Sequence, residues 1–73
     1  MAKDYLVKLG NSIRKRSQSH FKTNVDFAFA CDVDEKTIRR IFRGEQNVSL
    51  SIFKKISKAL NIKMSDLLSE IGE

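Results

Sequence analysis

Apolar residues recur along this chain at helical rather than strand spacing. Leu6, Leu9 and Ile13 fall at i, i+3 and i+7, with Tyr5 beside them, and predict a first helix from about Lys3 to Ser17. Ser17 to Lys22 breaks that pattern and reads as a loop anchored by Phe21. Thr23 suits the cap of a second helix, Asn24 to Cys31, with Phe27, Ala28 and Cys31 facing inward. Asp32-Val33 then reads as a turn. Asp34 caps a third helix, Glu35 to Arg43, whose apolar stripe is Ile38, Ile41 and Phe42, and Gly44 suits the left-handed stop. Gly44 to Val48 is polar and loop-like. Ser49 caps a fourth helix, about Leu50 to Leu60, with Leu50, Phe53, Ile56 and Leu60 on one side and Asn61 as a left-handed stop. A fifth runs from about Met64 to Ile71 on Met64, Leu67, Leu68 and Ile71. No alternating run or hairpin turn signals a strand. The expected class is all-α with five helices.

At 73 residues, with no proline, repeat or linker, the chain reads as one domain over 1–73. Its core is small but sufficient without staples. One cysteine, Cys31, excludes an internal disulfide, and with one histidine, His20, no zinc set is available. Cys31 sits in an apolar stretch and reads as a buried core thiol. Nothing resembles a signal peptide or a membrane span, so a cytoplasmic location is expected. There is no catalytic set: Asp32, Asp34 and Glu35 cluster at a turn and a helix start, where capping explains them. No metal or cofactor is called for, and an enzyme is not expected.

Charge changes the picture more. The net charge is +5 and it is uneven. Lys3, Lys8, Arg14, Lys15, Arg16, Lys22, Lys36, Arg39, Arg40 and Arg43 lie in the first 43 residues, while the last eight hold Asp66, Glu70 and Glu73 and no base. A basic body with an acidic end points to a polyanion as partner for the body. Lys36, Arg39, Arg40 and Arg43 lie off the apolar stripe of the third helix. That helix therefore presents a core face and a cationic face, and its size and charge fit the DNA major groove. A solvated basic face is the alternative reading. The short turn after the second helix, with small Ala28 at a close packing position and Val33 as apolar plug, completes a helix-turn-helix pattern over about residues 24–43.

With these residues in place, the chain resembles the Cro and phage-repressor class of helix-turn-helix domains, the XRE family. The matching residues are Ile13-Arg14, Phe27-Ala28, Val33-Asp34, Thr37-Ile38, Arg40-Ile41 and Arg43-Gly44, then Asn47, Ser49-Leu50, Phe53, Ile56, Ala59-Leu60, Ile62 and Asp66-Leu67-Leu68. They span about Leu9 to Leu68. The resemblance implies a five-helix, lambda-repressor-like bundle. The chain departs from the pattern at several points. Asp32 stands where glycine is usual, and aspartate tolerates the left-handed region better than most residues. Asn24 replaces the usual glutamine. Phe42 replaces a glutamate that pairs with a first-helix arginine, which leaves Arg14 or Arg16 for DNA. Phe21-Lys22 replaces a glycine and an apolar residue.

Carried over residue by residue, the resemblance implies base reading by Glu35, Lys36, Arg39 and Arg40. Arginine and lysine pair with guanine O6 and N7, and glutamate accepts from cytosine N4. The alternative for Glu35 is a first-turn carboxylate complementing the helix dipole. Thr23, Asn24, Arg43, Gln46 and Asn47 would hold phosphates, although Asn47 equally reads as a loop residue bonding its own backbone. Leu68 and Ile71 extend past what a small bundle must bury and are assigned to a homodimer interface. A dimer would set two recognition helices about one DNA turn, roughly 34 Å, apart on a palindromic operator. The implied function is sequence-specific binding of double-stranded DNA by a transcriptional regulator of repressor or controller type. The competing reading is a protein-interaction module, or an antitoxin, that uses the same fold with an acidic protein partner.

Overall fold

The computed structural model describes residues 2–71, with side chains from Asp4 onward, so the charges of Lys3 and Glu73 lie outside the described side chains. It contains five helices: α1 Ala2–His20, α2 Asn24–Cys31, α3 Glu35–Phe42, α4 Leu50–Leu60 and α5 Met64–Glu70. Their punctuation is side-chain chemistry. The hydroxyl oxygen of Thr23 accepts from the Asp26 amide (3.1 Å), the Asp34 carboxylate from the Lys36 amide (3.0 Å), and the Ser49 hydroxyl oxygen from the Ile52 amide (3.2 Å). Each cap occupies backbone N–H groups that have no partner inside the helix.

The stops are equally specific. Asp32 (φ 56°), Gly44 (φ 73°) and Asn61 (φ 54°) take the left-handed conformation after α2, α3 and α4. The amides of the following residues reach back: Val33 to the Ala28 carbonyl, Glu45 to Arg40 and Ile62 to Ser57, at 3.0, 2.9 and 3.0 Å. This is the Schellman pattern, which satisfies the last free carbonyls. Asp32, like Asn61, holds this conformation without being glycine. Its side chain is 94% exposed, and its contact with the Lys55 ammonium is long at 3.8 Å, so that pair contributes little. Asp32→Gly is therefore expected to raise stability by about 1 kcal/mol, because glycine pays no steric penalty in this region. Chemical denaturation would check it; a loss of stability would mean that the carboxylate holds the turn.

The core is drawn from every helix. Leu9 and Ile13 of α1 meet Phe27, Ala28 and Cys31 of α2 and Ile38, Ile41 and Phe42 of α3. Phe53, Ile56 and Leu60 of α4, Leu67 of α5 and Ile71 complete it. The Phe27 ring lies between Phe21 and Phe42, with ring centres 5.4 and 6.0 Å away. Phe21 anchors its loop as expected. Burial pushes the Cys31 thiol up to about 11, which keeps it protonated and inert at neutral pH.

Three expectations are corrected. The first helix continues past Ser17 to His20. Ser17 is buried and donates its hydroxyl to the Arg14 carbonyl (2.8 Å), so it does not break the helix. The Phe21 amide then bonds the Ser17 carbonyl (2.8 Å), closing the last turn. Leu50 counts onto the α4 stripe but is 62% exposed; the first turn of α4 projects beyond the packed face, and Phe53 is the first of the set to be buried. Ile71 was expected outside the monomer core but is only 6% exposed. α5 packs against both α1 and α4, and the chain closes over them at its end. Glu70 fixes that closure: its carboxylate pairs with Arg16 and accepts from the Ser12 hydroxyl (2.6 Å). Leu68 keeps a partly open side chain.

At Gly10 the backbone of α1 lies against that of α3. A Cβ on Gly10 would press on the Ile41 carbonyl oxygen and lie 2.8 Å from that of Phe42. Gly44 sits similarly against Val7, with 2.8 Å between a Cβ and the Val7 Cα. These two contacts set α3 against α1 and so determine which way the outer face of α3 points.

Candidate nucleic-acid interface

The site is built on α3. With Ile38 and Ile41 fully packed, Lys36, Arg40 and Arg43, at i, i+4 and i+7, form an exposed stripe on the opposite side. The helix is short, 8 residues, and is held at both ends by Asp34 and by the Gly44 turn. Its cationic groups are thus presented on a rigid support.

The expected base-reading set does not stay together. Lys36 and Arg40 lie on the outer stripe. Glu35 and Arg39 pair with each other along one edge of α3, 2.9 Å apart at i, i+4. Glu35 is half-buried and sits in the first turn, where its charge also complements the helix dipole. Arg39 turns toward an open cleft between α1, α2 and α3. Arg14, Gln18, Asn24, Phe42 and Arg43 line the cleft with it. Arg39 thus keeps company with two of the expected phosphate residues, Asn24 and Arg43, rather than with Lys36 and Arg40.

The remaining expected phosphate residues frame the helix ends. Thr23, exposed at the start of α2, accepts an amide hydrogen bond and retains its own O–H to donate. Arg43 donates its Nε–H to the Arg39 carbonyl (3.4 Å), which holds the guanidinium near the end of α3. Gln46 is half-buried and Asn47 exposed in the loop before α4. They do not line the cleft.

Residue pattern alone did not single out Gln18, and it left Arg14 and Arg16 as equal candidates for DNA. The structure separates the two arginines. Arg16 faces α5, where it donates to Glu70 (3.0 Å). Arg14 lies on the other flank of α1, and among the described residues no carboxylate is within ion-pair distance of it. The available signal was the i, i+4 spacing of Arg14 and Gln18 beside the stripe of Leu9 and Ile13. No group of histidine, cysteine, aspartate or glutamate suited to a metal ion occurs among the described residues. No described helix is long and apolar enough to cross a membrane.

A helix-turn-helix family model matches residues 13–67. Control protein C.MunI of a Mycoplasma species is 35% identical over 69 residues, covering 93% of each chain. Control protein C.BamHI of Bacillus amyloliquefaciens is 51% identical over 41 residues, 56% of this chain and 51% of its own length. Among solved structures, the restriction-modification controller protein C.AhdI from Aeromonas hydrophila superposes with a TM-score of 0.80 at 31% identity, over 85% of this chain and 94% of its own. The clp gene regulator ClgR from C. glutamicum shares the fold (TM-score 0.83, 24% identity, 93% of this chain and 88% of its own). The match across most of the chain, together with the capped α3 and its cationic stripe, places this protein in the XRE-type helix-turn-helix family, whose members are DNA-binding transcriptional regulators and not enzymes.

Proposed function

We propose that this chain is a controller-type regulator of restriction–modification genes, acting in the cytoplasm as a homodimer on a palindromic operator. The supporting observation is the near full-length similarity to control proteins, joined to a free cationic stripe on α3. In this reading Lys36 and Arg40 enter the major groove and donate to guanine O6 and N7. Glu35 stands at the groove-facing start of the helix, able to accept from cytosine N4 when Arg39 releases it. Thr23, Asn24, Arg43, Gln46 and Asn47 hold phosphates on either side and set the register. Such contacts carry little sequence information but most of the salt dependence.

The dimer follows from what one small module can do. Single modules bury only about 600–1,000 Å² of surface on DNA, so a second copy supplies the missing specificity. Leu68, partly open on α5, is the residue left to such an interface, since Ile71 belongs to the monomer core.

Selection of preferred duplexes from a random pool tests the whole reading. A two-fold symmetric winner is expected, with affinity falling steeply as salt rises and sedimentation giving two chains per site. Salt-insensitive association, or no enrichment at all, would favour the protein-interaction reading. An asymmetric winner occupied by one chain would end the dimer.

A further inference from the structure

Among the described residues, three large apolar side chains are more than half exposed: Val25 (57%) and Phe29 (88%) on α2, and Leu50 (62%) at the start of α4. Scattered singly, such residues are ordinary. Here two of them share one edge of one helix, at i and i+4. Of the 8 residues of α2 only Asn24 and Asp26 are polar, so the helix is apolar on this outer edge as well as toward the core. A helix of that pattern is normally covered on both sides. In a single chain the α2 edge is open.

The two apolar patches carry opposite charge. α2 holds Asp26 and no base, with Asp32 just past its end. α4 holds Lys54, Lys55 and Lys58 and no acid. Among the described residues neither Asp26 nor Lys54 has an opposite charge within ion-pair distance. The acids exclude DNA as the cover of the α2 edge, because its phosphates would meet Asp26 and Asp32. A two-fold contact of α2 with its own copy would set acid against acid, which is costly. A basic, apolar surface fits, and α4 supplies one.

The two patches do not meet within one chain. Lys55, on the flank of α4 next to α2, approaches the Asp32 carboxylate (3.8 Å). Leu50 and Lys54, at i and i+4, lie on the other flank. Between two chains the spacing matches. Asp26 precedes Phe29 by about one helical turn, and Lys54 follows Leu50 by about one turn. With the helices antiparallel, Phe29 of one copy meets Leu50 of a second, Asp26 meets Lys54, and the lysine stem lies over Val25. The same direction sets the positive start of α4 beside the negative end of α2.

We propose that the Val25–Phe29 edge of α2 docks on the Leu50–Lys54 edge of α4 in a second copy of this chain. The contact joins unlike faces, so it does not close on itself and adds copies in a row. It is separate from the Leu68 interface and does not rest on the DNA-binding reading. Its small surface puts it among weak encounters, which bury less than about 1,200 Å².

Sedimentation equilibrium of the protein alone tests it, from about 10 μM to about 1 mM, the range where weak contacts form. The average mass of wild-type protein should keep rising with concentration. Phe29→Ser should lose that rise, and so should Asp26→Lys and Lys54→Glu. All three residues are exposed, so circular dichroism should show each variant folded. An equal mixture of Asp26→Lys and Lys54→Glu should regain the rise, because each altered face again meets an opposite charge. A wild-type mass that stays constant would overturn the contact. A rise that survives Lys54→Glu but not Phe29→Ser would give the α2 edge a different occupant and overturn it too, as would a mixture that stays small. A rise that starts from single chains would instead overturn the Leu68 dimer and leave this contact standing.

Discussion

Gly10→Ala is expected to lower the melting temperature by about 8–16 °C. Two opposed effects decide this. Alanine is the better helix former by about 1 kcal/mol, so in an exposed helix the change would stabilise. At Gly10 the new methyl has nowhere to go. It would press on the Ile41 carbonyl oxygen and lie 2.8 Å from that of Phe42, and both are backbone atoms of a packed helix. Overpacking of this kind costs about 3 kcal/mol, which leaves a net loss near 2. For a domain of this size each kcal/mol moves the midpoint by about 4–8 °C. The variant should also bind DNA more weakly than its remaining folded fraction accounts for, because the α1–α3 crossing determines which way the outer face of α3 points. Thermal unfolding followed by circular dichroism measures the first effect. A midpoint equal to or above the wild type would show that α1 lifts away freely and that the crossing is not a constraint.

Arg40→Ala is expected to weaken binding to the preferred operator by about 5- to 150-fold, the loss of one guanine contact worth about 1–3 kcal/mol. The side chain is exposed on the face of α3 opposite Ile38 and Ile41, so folding stability should scarcely change. The informative comparison is with its neighbour. Arg39→Ala removes a cation that pairs with Glu35 and lines the cleft, so its loss should be similar on selected and scrambled duplexes. Arg40→Ala should instead reduce discrimination at one base pair per half-site. Binding isotherms for both variants on both duplexes decide the matter. A sequence-independent loss for Arg40→Ala would move that residue to the backbone-contacting set. A changed base preference for Arg39→Ala would return it to the reading set.

These two adjacent arginines mark the boundary between local and tertiary information. Helix existence, caps and stops were legible because they are local. Thr23, Asp34 and Ser49 can only satisfy amides two or three residues away, and Asp32, Gly44 and Asn61 stand where a left-handed residue must end a helix. The 3.6-residue period likewise identified Phe27, Ile38, Ile41, Ile56 and Leu60 as core. The same period set Lys36 and Arg40 on the outer face of α3, and net charge pointed to a polyanion.

Other features depended on what each face meets, which period alone does not contain. Ser17 looked like a break because a hydroxyl is polar, but its own helix satisfies it and the bundle buries it. Leu50 and Ile71 were both apolar and in register. Only packing leaves one at the edge and seals the other, because α5 folds back onto α1 and α4. Arg14 and Arg16 are equivalent as letters, yet Glu70, 54 residues beyond Arg16, claims one of them while the other faces the cleft. Gly10 lets the α1 and α3 backbones approach, and only the folded chain brings Phe42 and Arg14, 28 residues apart, to one cleft. Sequence determined the elements and the sign of the partner's charge by short-range rules; long-range contacts between helices decided which charges remain free to meet that partner.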